Sequence, residues 1–501
     1  MSTPYTDSAP IPHHIAGRRL ELGPVSPVHN PANGQVARWV HGAEGPQIVQ
    51  AVASAKAAQP AWGSMPAQQR ARVLIRFLQQ AQSQRELLAS MITAEHGKTF
   101  DDALGEVQRG LDIVEYACGA PSLLMGQHSA QAATGLDHWT IPQPLGITVG
   151  VTPFNFPFMV PMWMAPMALA CGNAFILKPS PLDPSPSIWM AEALLAAGLP
   201  PGVFQVLHGG AEVVNGLLHH PDVAALSFVG STAVARDLYA KGGSLGKRVQ
   251  ALGGAKNHLV VMPDADMDAA VEALVGAAYG SAGERCMAIS VAVLVGKASE
   301  ALLPKLTERV RALRMGAGHQ DGVEMGPVIS AAAKARIEDL IDSGEKDGAK
   351  LLVDGRGRQV AGHLNGFFLG GTLFDHVQPW MRIYQEEIFG PVLVCLHVPD
   401  LGAALELIHS HPYANGVSLF TRDGGAAREF TQAVQVGMVG INVPIPVPMA
   451  WMGFGGWKAS LFGELHAYGP DAVRFYTRRK AVMQRWGAAP SGSAFSMPVA
   501  R

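Results

Sequence analysis

The chain has 501 residues and a formal net charge of −2, with 48% hydrophobic and 16% charged residues. This length exceeds what one hydrophobic core can hold, so we expect two or three domains, and the apolar share excludes an extended disordered chain. The near-neutral charge argues against nucleic acid or an anionic membrane as a partner. The 4 cysteines are far apart, without CxxC or Cys/His clusters, so we predict neither a disulfide framework nor a structural zinc site.

Residues 1–15 have the character of a polar tail, without an apolar signal core or an Arg-rich transit pattern, which favours the cytoplasm. Apolar residues at helical spacing then predict helices over 45–62, 66–97 and 100–119. The segment 136–154 has the composition of extended chain.

Residues 156–177 form an uncharged run that is long enough to span a bilayer. Three prolines interrupt this run, and no basic flank anchors its N-terminal side. The pattern favours a buried helix followed by a short strand, so we expect no membrane span.

Strands and helices alternate regularly over 147–263, which predicts a parallel, doubly wound α/β sheet with right-handed crossovers. The alternation then restarts with a helix over 266–283 that runs into Cys286, a strand over 290–296, and helices over 302–316 and 332–348. The sequence therefore predicts two α/β units.

A doubly wound sheet suggests a nucleotide, but the GxGxxG fingerprint and the Walker A loop are both absent. The stretch FVGST (228–232) ends a strand and opens a helix. Its N–H groups and the Ser231 hydroxyl could hold a phosphate, or Ser231 could be an ordinary helix N-cap. Lys178 follows a strand where nucleotide ribose often lies, and its alternative interpretation is a surface lysine.

Other catalytic patterns fail on their context. GGSLG (242–246) matches GxSxG, but a helix precedes it where a nucleophile elbow needs a strand, so these glycines are expected to end a helix. The zinc-binding motif HExxH is absent, so we predict no metal. Cys286, in GERC (283–286), is either a small buried apolar residue or a nucleophile.

Several motifs in order resemble the aldehyde dehydrogenase superfamily over roughly residues 20–486. They are TPFNFP (152–157), ILKPS (176–180), FVGST, LGGAKN (252–257), GERC, EEIFGPV (386–392) and NGVSLFTRD (415–423). Within the superfamily, residues 153–180 and the motifs GAKNH (254–258) and GERCMA (283–288) are similar to the CoA-acylating methylmalonate-semialdehyde dehydrogenase branch.

The resemblance implies two doubly wound Rossmann-like domains with a small β oligomerisation flap. It assigns 1–126 and 145–252 to an NAD-binding domain, 253–453 to a catalytic domain, 127–144 and 454–486 to the oligomerisation element, and 487–501 to a flexible tail. It also implies a homodimer or homotetramer, in which strands near 127–144 and 470–486 pair between subunits.

The resemblance also implies residue roles. Cys286 is the nucleophile, and the Asn155 amide with the Cys286 N–H binds the oxyanion. The residues expected to contact NAD are Phe154, Lys178, Ser231, Glu387 and Phe389. Arg109 and Arg285 are expected to bind the substrate carboxylate, although Arg109 could instead pair with Glu106 one helical turn away.

Two positions depart from the family pattern. Ala251 stands where hydrolytic relatives carry the glutamate that activates water, so the physically favoured acceptor is the thiol of coenzyme A. The implied reaction converts methylmalonate semialdehyde to propionyl-CoA, as in valine catabolism, or malonate semialdehyde to acetyl-CoA, with loss of CO₂. Pro181 replaces a glutamate that binds ribose hydroxyls, which leaves NAD against NADP open. The alternatives are a CoA-independent enzyme that releases a free acid and a catalytically idle structural relative.

Overall fold

The computed structural model describes residues 9–486. The helices of this part of the chain are α1 (Gly45–Ser64), α2 (Ala67–Ser83), α3 (Arg85–His96), α4 (Phe100–Cys118), α5 (Ala120–Leu123), α6 (Met159–Ala170), α7 (Ser185–Ala196), α8 (Ala211–His219), α9 (Thr232–Ser244), α10 (Met267–Tyr279), α11 (Ala298–Arg311), α12 (Ala331–Lys346), α13 (Arg382–Gln385), α14 (Leu401–Ser410), α15 (Gly424–Ala433) and α16 (Gly469–Tyr476).

The strands are β1 (His13–Ile15), β2 (Arg18–Leu20), β3 (Val25–His29), β4 (Val36–His41), β5 (His128–Ala133), β6 (Leu136–Pro144), β7 (Ile147–Val151), β8 (Ala174–Lys178), β9 (Phe204–Val206), β10 (Val223–Val229), β11 (Arg248–Leu252), β12 (Asn257–Val261), β13 (Ile289–Val295), β14 (Lys350–Val353), β15 (Thr372–Asp375), β16 (Val392–Val398), β17 (Tyr413–Ala414), β18 (Gly416–Phe420), β19 (Met438–Ile441), β20 (Trp457–Lys458), β21 (Leu461–Phe462) and β22 (Thr477–Arg485).

Two large sheets form the body of the molecule. The first has the order β2-β1-β9-β8-β7-β10-β11-β21, and its central strands from β9 to β11 are parallel. The second has the order β14-β15-β16-β13-β12-β18-β19 and is parallel except for β14. Helices connect successive parallel strands, as crossover connections require, and the predicted pair of doubly wound α/β units is confirmed.

A third, antiparallel sheet joins distant segments in the order β22-β6-β5. Its main register runs from Thr477 opposite Pro144 to Arg485 opposite Leu136. The predicted flap segments therefore pair with each other within one chain. The C-terminal segment also contributes elsewhere, because β21 pairs with β11 of the first sheet and β20 pairs with β17.

Two local expectations are wrong. His13 and Ile15, placed in a polar tail, lie in the buried strand β1, because His14 pairs with Val206 and joins this segment to the first sheet. The helix expected over 66–97 is two helices separated at Gln84. Residues 1–8 and the tail predicted over 487–501 lie outside the described residues.

The apolar run after residue 156 is confirmed as a buried helix followed by a strand. Helix α6 is buried along its whole length, and β8 follows within the first sheet. Within residues 9–486, no helix combines the length and apolar character that crossing a membrane demands.

Candidate active site

The site is formed by loops at the strand ends of the two large sheets. In the first sheet, Asn155, Lys178 and Ser231 follow or end the parallel strands β7, β8 and β10 at their carboxyl ends, where ligands bind in open α/β sheets. In the second sheet, Cys286 and Glu387 precede β13 and β16 at their amino ends. Contacts of Phe154 with Phe389 and of Thr232 with Gly254 join loops of the first sheet to loops that lead into the second.

Cys286 sits after a strained turn rather than on a continuing helix, so the helix predicted over 266–283 is too long. Helix α10 ends at Tyr279, and Ser281 and Ala282 then adopt left-handed conformations with φ of 53° and 51°. The Ser281 N–H donates to Asp102 Oδ2 at 3.1 Å, which fixes this turn. A Cβ on Gly283 would lie 2.1 Å from the Gly390 carbonyl oxygen, so this close approach requires glycine.

Two buried asparagines hold the cysteine backbone. The Cys286 carbonyl accepts from Asn257 Nδ2 at 2.9 Å and from Asn415 Nδ2 at 3.2 Å. Asn257 Nδ2 also donates to the Ala288 carbonyl at 3.0 Å, and its Oδ1 accepts from the Gly416 N–H at 3.0 Å. Both asparagines lie in motifs that carried the family resemblance, but their partners are too distant in sequence for their role to be predicted.

The Cys286 thiol is half-buried, and its environment favours the protonated form. Burial and the negative charge of Glu387 raise the pKa of Cys286 to about 12, although the backbone N–H groups of Cys286 and Met287 and the charge of Arg285 oppose this rise. The resting thiol is therefore protonated at neutral pH.

Asn155 lies in the loop between β7 and α6, and the residue is buried, with 3% of its surface exposed. Its backbone carbonyl accepts from Lys98 Nζ at 2.5 Å. Across residues 9–486, its side-chain amide has no hydrogen-bond partner, so this amide can donate to an oxygen that enters the site.

The segment that carries Glu387 is fixed by the LGGAKN turn. The Ala255 N–H donates to Glu387 Oε1 at 3.0 Å, and a Cβ on Gly254 would lie 2.5 Å from Oε2. Burial raises the pKa of Glu387 to about 6. Lys256, a residue that the sequence did not single out, donates through Nζ to the Ile383 and Glu386 carbonyls at 2.7 Å each.

Lys178 is buried at the end of β8, so the surface-lysine interpretation is wrong. Burial lowers the pKa of Lys178 to about 8. Ser231 precedes α9 with an exposed side chain that makes no capping hydrogen bond, so its hydroxyl is available to a ligand. The neighbouring Thr232 joins this end to the LGGAKN turn, since its Oγ1 accepts from the Gly254 N–H at 2.9 Å.

Aromatic rings connect the two sides of the site. The Phe154 ring lies 5.8 Å from the Phe389 ring in an edge contact and 5.9 Å from the ring of buried His96. Phe389 holds a φ of +52°, a strained conformation for a residue with a side chain. One pocket is lined by Arg285, Cys286, Glu387 and Phe389 together.

Of the two arginines that were predicted to bind a carboxylate, Arg285 contacts helix α4 and Arg109 lies on it. Arg285 forms an ion pair with Asp102 of that helix. Arg109 is half-buried, and its Nη2 donates to the Val447 carbonyl at 3.1 Å. The alternative partner of Arg109, Glu106, is buried and pairs with Lys98 instead.

One sequence motif and one cluster of side chains lie outside this site. GGSLG ends helix α9 as expected, and the Ser244 hydroxyl donates to the Lys241 carbonyl at 2.7 Å. Asp375, His376 and His397 place possible metal-ligand atoms within 4.8 Å of one another. Sequence spacing gave no sign of this cluster, because β15 and β16 bring together histidines that are far apart in the chain; it lies at the opposite end of β16 from Glu387.

The chain belongs to the aldehyde dehydrogenase family, whose profile matches residues 22–482. The family fold and the oxidoreductase class predicted from sequence are therefore confirmed. A malonate-semialdehyde dehydrogenase of Pseudomonas aeruginosa is 55% identical over 491 residues, which cover 97% of this chain and 99% of the relative. One of Halalkalibacterium halodurans is 48% identical over 478 residues, covering 95% and 98%.

Solved structures agree in fold over the same length. A methylmalonate-semialdehyde dehydrogenase from Oceanimonas doudoroffii superposes with a TM-score of 0.95 at 52% identity, covering 96% of this chain and 99% of that one. A proposed methylmalonate-semialdehyde dehydrogenase from Sinorhizobium meliloti 1021, complexed with NAD, gives a TM-score of 0.94 at 50% identity with the same coverage.

Proposed function

We propose that this enzyme oxidises malonate semialdehyde or methylmalonate semialdehyde with NAD and transfers the acyl group to coenzyme A. The names of the similar proteins support the substrate class. The observation that carries the transfer to a thiol is Ala251, which is fully buried in β11 and offers no proton acceptor where hydrolytic relatives carry glutamate.

The residues at the nucleotide end fit NAD. The Ser231 hydroxyl and the N-terminus of the 13-residue helix α9 suit a pyrophosphate, and Lys178 suits a ribose. Glu387 and Phe389 lie beside Cys286, as the nicotinamide end requires. When bound, NAD supplies the acceptor for a hydride. The NAD-bound relative from Sinorhizobium meliloti supports this assignment.

The Cys286 sulfur attacks the aldehyde carbon as the thiolate, so the thiol first gives its proton to solvent water. The carbonyl electron pair moves onto oxygen, and the Asn155 amide and the Cys286 N–H stabilise that charge. As this charge collapses back into a carbonyl, the C–H bond breaks and its hydrogen leaves as hydride. The product is a thioester on Cys286.

The thioester carries a carboxylate at its β carbon and can lose CO₂ through an enolate, which a proton then quenches. A thiol completes the cycle, because coenzyme A presents some thiolate near neutral pH and needs less help from a base than water does. General-base assistance to water, worth about 10²–10⁴-fold, is missing at Ala251. Cys286 leaves as the thiolate, and the product is acetyl-CoA or propionyl-CoA.

Arg109 and Arg285 are the proposed partners of the substrate carboxylate. Arg285 keeps further N–H donors beyond the one that contacts Asp102, since a guanidinium carries five. Arg109 is held by a backbone carbonyl and carries no ion pair among the described residues, so its charge is the better candidate for recognition.

The proposed assembly is a homodimer or homotetramer formed through the three-stranded sheet. Strand β22 has a free edge within the described chain, and Ile141 and Met483 on this sheet are exposed apolar residues. An unpaired, partly apolar edge of this kind is suited to pairing between subunits. The domain ranges given above remain part of this proposal.

Product identification by mass spectrometry tests the function. Either semialdehyde with NAD and coenzyme A is expected to give the acyl-CoA, whereas free dicarboxylic acid as the main product would support the hydrolytic alternative. Parallel reactions with NADP in place of NAD show which of the two cofactors the enzyme prefers, a choice that Pro181 leaves open.

Ala251→Glu restores the water-activating carboxylate and is expected to raise CoA-independent turnover by about 10–100-fold. Ala251→Gln, of the same size without a base, is the matched control and should leave CoA-independent turnover unchanged. Thermal unfolding of both variants checks that the buried position tolerates the larger side chain. Equal CoA-independent rates in the two folded variants would contradict the role given to this position.

A further inference from the structure

One face of helix α4 contacts three different loops of the site. Asp102, Glu106 and Arg109 follow one another at spacings of four and three residues, which place them on the same face. Asp102 holds the cysteine turn through Ser281 and Arg285, and Arg109 contacts the loop at Val447. Glu106 contacts the segment that follows Asn155.

Glu106 forms a fully buried ion pair with Lys98. The two side chains are 0% and 1% exposed, and Lys98 Nζ lies 2.8 Å from Glu106 Oε2. Burying two charges carries a desolvation penalty that only good geometry and further hydrogen bonds offset. Both residues make such further bonds, and all of them go to one loop.

The two residues hold that loop at Asn155 and at the residues that follow it. Lys98 Nζ donates to the Asn155 carbonyl at 2.5 Å and lies 4.4 Å from the centre of the Phe156 ring. Glu106 Oε1 accepts from the Phe158 and Met159 N–H groups at 2.9 and 3.2 Å, at the start of α6. The backbone at Asn155 is therefore fixed by the pair, whereas its side-chain amide is left unbonded within residues 9–486.

We propose that Lys98 and Glu106 are positioning residues that fix the Asn155 backbone, so that its side-chain amide points at the oxygen of the reacting aldehyde. This inference rests on the proposed role of Asn155 as the oxyanion donor. A displacement of about 1 Å in a catalytic group lowers rates by as much as 10²-fold, so loss of the pair acts on the rate of hydride transfer.

The test measures the single-turnover rate constant of NADH formation without coenzyme A, using malonate semialdehyde and, as a carboxylate-free comparator, propanal. Lys98→Met keeps the length of the side chain but loses the donor to Asn155. We expect a 10–100-fold lower rate constant with both aldehydes and a dissociation constant for NAD within twofold of the wild type. An unchanged rate constant in the folded variant would overturn the proposal.

A double-mutant cycle separates positioning from a general structural role. In an Asn155→Ala background, Lys98→Met is expected to lower the rate constant by less than twofold further, because the group it positions is gone. If the two effects multiply instead, Lys98 acts independently of Asn155 and the proposal fails. If Asn155→Ala alone leaves the rate unchanged, the role of Asn155 fails and the inference fails with it.

Glu106→Gln provides the second variant if Lys98→Met does not fold. It keeps an acceptor for the Phe158 and Met159 N–H groups but removes the charge that holds Lys98, so we expect a 3–10-fold effect that also vanishes in the Asn155→Ala background. Persistence of the full effect in that background would overturn the proposal. The CoA-free readout remains valid even if the proposed acyl acceptor is wrong, which keeps the two failures distinguishable.

Discussion

The cysteine end of the site and its nucleotide end differ in how their polar groups are held. At the cysteine end, two asparagines fix the Cys286 carbonyl, and Lys98 fixes the Asn155 carbonyl. At the nucleotide end, the Ser231 hydroxyl makes no capping bond, and Lys178 Nζ has no hydrogen-bond partner within residues 9–486. The backbone that carries the reacting groups is therefore held by the protein, whereas the Ser231 and Lys178 side chains are left for the cofactor.

This difference predicts two kinds of mutational effect. Substitutions at the cysteine end are expected to change the rate of the chemical step, because they move groups whose alignment matters. Substitutions at the nucleotide end are expected to change affinity instead, because they remove contacts made to a bound molecule.

The largest effect is expected for Cys286→Ala. Loss of the nucleophile removes the thioester, so NADH formation should fall by 10⁴-fold or more, roughly the effect of deleting a catalytic nucleophile. Cys118→Ala, at the half-buried end of α4, is the matched control and should keep the full NADH burst. Turnover in Cys286→Ala close to that of the control would refute the assignment.

A smaller effect on rate is expected for Asn257→Ala. It removes the donor to the Cys286 and Ala288 carbonyls and leaves the buried Gly416 N–H unpaired. We expect a roughly 10–100-fold lower burst rate and a loss of about 1–3 kcal/mol in the free energy of unfolding. Asn257→Asp keeps only the acceptor for the Gly416 N–H, so its burst rate should lie between those of the wild type and the alanine variant. A wild-type burst rate in the alanine variant would contradict the role of Asn257 in holding the Cys286 backbone.

Substrate affinity is expected to depend on Arg109. Arg109→Met should raise KM for malonate semialdehyde by about 10–100-fold, the range for a hydrogen bond to a charged group, and leave KM for propanal unchanged. Arg428→Met, on the exposed face of α15, is the matched control. Equal changes of KM for both aldehydes would show that Arg109 does not recognise the carboxylate.

The smallest effect concerns pH and the cofactor. Burial lowers the pKa of Lys178 to about 8, so its ammonium is charged at pH 7 and mostly neutral at pH 9. If the charged form binds the ribose, the dissociation constant for NAD should rise by up to about tenfold over that range. Lys178→Met should bind NAD weakly with a flat profile, whereas an equal pH dependence in the variant would exclude Lys178 as its cause.

The same comparison shows what the sequence could reveal. Alternating strands and helices predicted the first large sheet and the start of a second α/β unit, because apolar runs and glycine breaks are local signals. The sequence also indicated three site residues, because each ends or follows a single strand or helix. These residues are Lys178, Ser231 and Cys286. The groups that hold the cysteine end were missed, since Lys98 and Asn155 lie 57 residues apart and their contact depends on tertiary packing.

Polar residues misled the sequence interpretation in the same way. His13 and His14 made the first segment look like a solvated tail, but β1 is buried against β9. Burial lowers the pKa of His13 to about 4, so this histidine is neutral at physiological pH and compatible with the core. Only the position of the partner strand, almost 200 residues away, reveals this environment.

Pre-steady-state NADH formation with and without coenzyme A distinguishes transfer to a thiol from hydrolysis. We expect a burst near one NADH per active site when coenzyme A is omitted, followed by very slow turnover, because Ala251 gives water no base. Adding coenzyme A should convert the burst into sustained turnover with acyl-CoA as the product. Fast sustained turnover without coenzyme A, yielding the free acid, would contradict transfer to a thiol.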